Sequence, residues 1–169
     1  MLYYGLTSLG IFHTIISFIA LFTGIFLIAR DRKITWDTVP GKVYVITTLI
    51  VCVTGFGIFQ HGGFGKPHAL GVVTLLVFVV IVAAHRNMLG KASPHIEMGA
   101  FTLTLFFHFV PTITEGATRL PYGAPLASSP DDPNIQKAIL AFLLVFVVII
   151  ILQIWNLRKL NYDRSKHTP

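Results

Sequence analysis

Gln60-His61-Gly62-Gly63-Phe64-Gly65-Lys66-Pro67-His68 forms a short polar hairpin between two apolar runs, about Val43 to Phe59 and about Ala69 to Ala84. Three glycines and a proline mark a turn, and the flanking runs approach the length needed to cross a bilayer as helices. A histidine stands at each foot, His61 and His68. Read this way, the hairpin joins two neighbouring transmembrane helices.

Composition extends that reading to the whole chain. The 169 residues are 54% hydrophobic and only 12% charged, with a mean hydropathy of +0.73. A soluble domain carries about 25% charged residues, so most of this surface must face lipid or other helices in lipid. The length allows one transmembrane domain and no separate soluble one.

Upstream of the hairpin, Met1 to Thr7 has no Lys or Arg. A secretory signal needs a positive start, so the run at about residues 9–29 is read as an uncleaved first helix. Arg30-Asp31-Arg32-Lys33 ends it, and Pro40 and Gly41 precede the second run, about 43–59. The third run, about 69–84, is stopped by His85-Arg86-Asn87. A fourth, about 98–113, is the shortest and holds His108 with Pro111 near its end. A long polar loop, about 116–136, leads to a fifth, almost wholly aliphatic run at about 138–155, and a basic tail, 156–169, expected to be mobile. No repeat period is visible.

Five spans place the termini on opposite sides. Arg30, Arg32, Lys33, Lys42, Arg86, Lys91, Arg158, Lys159, Arg164 and Lys166 fall on one side, ten in all; Lys66, Arg119 and Lys137, three, fall on the other. The positive-inside bias puts the C-terminus in the cytoplasm and the N-terminus, the hairpin and the long loop outside. The expectation is an all-α integral membrane protein of five spans in a bacterial inner membrane. The partners expected are the lipid bilayer, a quinone or other redox partner, and further copies or a larger membrane complex.

Several classes of function are excluded. The basic residues flank apolar runs, so a pI near 9.7 reflects orientation and not nucleic-acid binding. Cys52, the one cysteine, cannot form an internal disulfide and reads as a small packing residue. No Ser-His-Asp, Cys-His or paired-carboxylate set suggests a hydrolase.

The histidines carry what chemistry there is. His13, His61, His68 and His108 come to the outer side, with His13 and His108 at intramembrane depth, where ionisable groups usually face a bundle interior or a cavity. Thr104, His108, Thr112 and Glu115 share one face of the fourth helix, and His13 and Ser17 share one face of the first. A polar stripe in lipid must be satisfied by another helix or by water, and interhelical hydrogen bonding alone is one reading of the whole set.

Neutral imidazole is also an axial ligand of b-type haem. Two stacked haems want histidines about 14 residues apart on one helix. His95 and His108, 13 apart, fall off a common face, and His68 and His85 are 17 apart. A single outer-leaflet haem b held by two of His13, His68 and His108 fits better. A transition metal such as zinc or copper would instead need converging donors, for which His61, His68, His108 and Glu115 are the candidates. Proton or quinone handling by His108 and Glu115 is not separable from these by spacing.

His13, Gly41-Lys42-Val43-Tyr44, Gly62-Gly63-Phe64 followed by His68, and His85-Arg86-Asn87-Met88 together resemble a bacterial predicted-membrane-protein family catalogued as domain of unknown function 2306, over about Gly10 to Met88. The resemblance implies a small helical bundle with histidines at helix ends and supplies no activity. The family's His-Arg pair before Gly41 is replaced here by Trp36-Asp37-Thr38-Val39-Pro40. The functional expectation is therefore a small b-type cytochrome-like redox protein. The alternatives are a metal- or proton-linked transport or sensing protein using the same cluster, and a structural accessory subunit.

Overall fold

A computed structural model describes the backbone of residues 7–59 and 63–167, and the side chains of these as far as residue 159. Five α-helices follow one another: α1 (Ser8–Asp31), α2 (Val39–Gly55), α3 (Lys66–His85), α4 (Ser93–Arg119) and α5 (Pro133–His167). A single 3-10 turn, Gly90–Ala92, precedes α4, and no strand occurs among the described residues. The helices α1, α3, α4 (with its leading turn) and α5 are long and apolar enough to cross a membrane, and α2 is a shorter apolar helix. The chain thus has the make-up of a helical multi-pass membrane protein. Two compact units divide at Val79 and Val80, within α3.

In the first unit, α1 begins where the Thr7 hydroxyl accepts from the Gly10 N–H at 3.1 Å, filling an otherwise orphan donor. It ends at Arg32, which takes the left-handed conformation (φ 61°) and donates its N–H to the Ile28 carbonyl. The buried positions of α1 include Ala20, Gly24 and Leu27, a helical stripe with small residues where α2 approaches. On α2 the buried stripe runs Gly41, Tyr44, Val45, Thr48 and Cys52. Outward lie Phe12, Ile15, Phe18, Phe22 and Phe26, all exposed, a greasy surface that suits acyl chains and not water.

Gly41 is needed by the chain reversal between α1 and α2. A Cβ there would sit 1.6 Å from the Thr35 carbonyl oxygen. Thr38 caps α2 by accepting from the Gly41 N–H at 3.2 Å, and Ile34 buries fully under the turn.

In the second unit, α3 closes with a double hydrogen bond. Asn87 N–H donates to the Ala84 carbonyl and Met88 N–H to the Ala83 carbonyl, with Asn87 left-handed at φ 56°. Ser93 then accepts from the Leu89 N–H. Helix α4 packs on α5 through Met98, Phe101, Leu105 and Phe106, with Phe106 and Phe109 tilted against Phe146. Edge-tilted rings are a favourable aromatic arrangement.

Two expectations about extents are corrected. The fourth helix does not stop near residue 113: it runs through Pro111 to Arg119. Proline removes one backbone bond, to the carbonyl four residues earlier, while the hydroxyls of Thr112 and Thr114, just after it, bond the carbonyls of His108 and Val110, just before it. The fifth helix does not stop near residue 155 either: α5 runs from Pro133 to His167. The loop after α4 folds back on itself, with Ala127 N–H reaching the Ala117 carbonyl and Ala127 buried.

Candidate functional site

His13 lies in the second turn of α1, and its Nδ1 is 2.9 Å from the hydroxyl of Thr54, near the end of α2. That hydroxyl has one proton, which it gives to the Ile50 carbonyl at 2.7 Å. In the tautomer protonated at Nδ1 the hydroxyl accepts from His13, and the ring's lone pair lies on Nε2. Gly55 makes room for the ring: a Cβ there would meet His13 Cε1 at 3.4 Å.

His68 is held the opposite way. It is the third residue of α3, and its Nδ1 accepts from the Gly65 N–H at 3.1 Å. A side chain at this position reaching back to the residue that opens the helix is half of a capping box. The neutral ring then carries its proton on Nε2. The side chain is 5% exposed, and Nε2 is a buried nitrogen with no hydrogen-bond partner among the described residues. Phe59 and Phe64 stack on either flank, at 5.0 and 5.1 Å between ring centres.

His108 is buried in α4, at 6% exposure, and its carbonyl accepts the Thr112 hydroxyl. Thr104 gives its hydroxyl to the Phe101 carbonyl. Ser17, on α1, gives its own to the His13 carbonyl. The polar stripes expected to need a partner helix or water are thus largely satisfied within their own helices, the usual resort of hydroxyl side chains in apolar surroundings. Glu115 is engaged by Arg119, one turn on.

His13 and His68 belong to the first unit and His108 and Glu115 to the second. His61 lies outside the described residues, so the metal set of His61, His68, His108 and Glu115 is not described as a whole. Among the described residues no group of three or more His, Cys, Asp or Glu is gathered as a metal would need.

Comparison with known protein families, curated proteins and solved structures found no match. The remaining polar side chains tie consecutive helices. The Cys52 thiol on α2 is in hydrogen-bonding contact with Thr74 on α3. His85 Nδ1, closing α3, pairs with Glu97 Oε1 on α4 at 2.9 Å. Thr102 on α4 donates to Gln153 Oε1 on α5 at 2.9 Å, both buried. Sequence reasoning passed over Thr54, Phe59 and Phe64. Thr54 was legible as the polar residue near the end of α2 opposite His13. Nothing in the apolar pattern singled out the two phenylalanines.

Proposed function

We propose that this chain is a five-span membrane redox protein of a bacterial inner membrane, N-terminus outside, in which His13 Nε2 is an axial ligand of a b-type haem in the outer leaflet. The observation that carries the reading is the contact of His13 Nδ1 with the Thr54 hydroxyl at 2.9 Å. Haem and metal histidines characteristically donate Nδ1–H to a fixed acceptor, which orients the ring and raises the basicity of Nε2. Thr54 is such an acceptor, itself anchored to the Ile50 carbonyl. Bound haem would supply one-electron transfer; the chain would supply the ligand nitrogen and a dry surround. His68 suits ligation less well, because an Nε2 lone pair would move its proton to Nδ1, against the Gly65 N–H. His108 keeps its candidacy through its burial in α4. The ten-to-three distribution of Lys and Arg supports the orientation, and the likeness to domain of unknown function 2306 belongs to the same proposal without adding an activity.

The test is an oxidised-minus-reduced visible spectrum of detergent-purified protein expressed with haem supplied. A sharp reduced α-band that is lost in His13→Ala is expected. A flat spectrum from folded protein would overturn the haem assignment. A second reading, a structural accessory subunit, is favoured by the polar ties between consecutive helices, which account for His13 and His85 by helix contacts alone.

A further inference from the structure

Among the described residues two buried side-chain nitrogens have no hydrogen-bond partner, His68 Nε2 and His95 Nε2, and of the two residues only His68 is buried to nine-tenths or more. Its Nδ1 is committed to the Gly65 N–H, so in the neutral ring Nε2 carries a proton that meets no acceptor among the described residues. A buried donor left without a partner is destabilising by about 1–3 kcal/mol, and such groups call for an explanation. The imidazole that carries it is stacked by two phenyl rings, at the end of an apolar helix. A ligand answering it must offer an oxygen acceptor, lie flat against aromatic rings and dissolve in lipid. A fatty-acid carboxylate or a lipid phosphate meets the first and third conditions and fails the second.

We infer that His68, with Phe59 and Phe64, binds the ring of a membrane quinone, Nε2–H donating to a quinone carbonyl oxygen. Access lies through Phe64. It is 69% exposed and stands between Gly63 and Gly65, with Gly63 at φ +147° and nothing within 4 Å of where its Cβ would be. The ring can therefore swing aside without disturbing α3. The same capping bond that makes His68 a poor iron ligand makes it a fixed donor, since it cannot turn Nδ1 outward without releasing the Gly65 N–H.

The inference deepens the redox reading by naming the class of its lipid-soluble substrate, but the binding itself requires no haem. The test uses the full chain in nanodiscs without added haem, titrated with a short-chain ubiquinone analogue. Binding is followed by equilibrium partition and by the infrared carbonyl stretch. Saturable binding with a lowered carbonyl frequency is expected. His68→Leu, which removes the donor, is expected to weaken binding by about ten- to a hundredfold, the worth of one buried hydrogen bond, and to abolish the frequency shift. His68→Gln keeps both an acceptor for the Gly65 N–H and an amide donor, and is expected to stay within about tenfold of the parent protein. Phe64→Ala, at an exposed position that leaves the cap alone, is expected to weaken binding while leaving the unfolding temperature unchanged. Absence of saturable binding, or an unshifted carbonyl that ignores His68→Leu, would overturn the inference. Quinone binding with a flat haem spectrum would remove the haem and keep the site; haem without quinone binding would do the reverse.

Discussion

Replacing Gly41 by alanine inserts one methyl group where the chain has no space for it. The new Cβ would lie 1.6 Å from the Thr35 carbonyl oxygen and 2.8 Å from its carbon. Ordinary contact needs about 3.4 Å, so the turn must retreat by well over an ångström, and it cannot do so without losses. The Thr38 hydroxyl cap to the Gly41 N–H would break, a loss of about 1 kcal/mol. Ile34, 1% exposed in the same turn, would be partly uncovered, which for a full side chain amounts to about 1.5–3 kcal/mol. Against this, alanine is favoured over glycine in a helix by about 1 kcal/mol. The cap loss and the alanine gain cancel, and uncovering half of Ile34 leaves a net destabilisation of about 0.8–1.5 kcal/mol. Gly116→Ala is the internal control. That glycine is also helical, but nothing lies within 4 Å of its Cβ position, so the same substitution should stabilise by about 0.5–1 kcal/mol. The assay is thermal unfolding in detergent, scored as folded protein remaining on size exclusion. Gly41→Ala matching or exceeding the parent, with Gly116→Ala behaving as expected, would refute the close approach of Thr35 to α2.

Three further outcomes are expected. A double-mutant cycle between His13→Ala and Thr54→Val should show a coupling of about 0.6–2 kcal/mol, the range for polar bonds between membrane helices, and additivity would dissolve the bond. The cycle Thr102→Val with Gln153→Leu should give a coupling in the same range of about 0.6–2 kcal/mol, measured by the same unfolding assay. His85 and Glu97 are partly exposed, so Glu97→Gln should change stability by less than about 1 kcal/mol, and 1 M salt should erase the difference; an effect that survives salt would mean the pair is shielded from solvent.

The helices were legible because hydropathy over some twenty residues is a summed signal that local detail cannot overturn. Their ends were not. Pro111 reads as a stop, but a proline removes only one backbone bond, and α4 continues around it. The last apolar run ends near residue 155, yet α5 is carried onward beyond it as helix. The place of His13 near the start of the first helix was legible from the apolar run, while its contact with Thr54, 41 residues away, is revealed by no pattern within one helix. His68 shows the reverse case. Gly65-Lys66-Pro67-His68 carries a cap signal, with proline in the first turn and a ring acceptor two residues after the first helical position, and the attraction of a ligand set hid it. On α4 the hydroxyls of Thr104 and Thr112 bend back to carbonyls of their own helix, which no reading of a shared face reveals.

The polar ties have a bearing on how such a chain is made. Thr54 answers His13, Thr74 answers Cys52, Glu97 answers His85, and Gln153 answers Thr102. Each tie links a helix to the next one synthesised. A nascent helix carrying a polar group into the bilayer therefore waits only for its immediate successor to leave the ribosome, and is never stranded until the end of the message arrives.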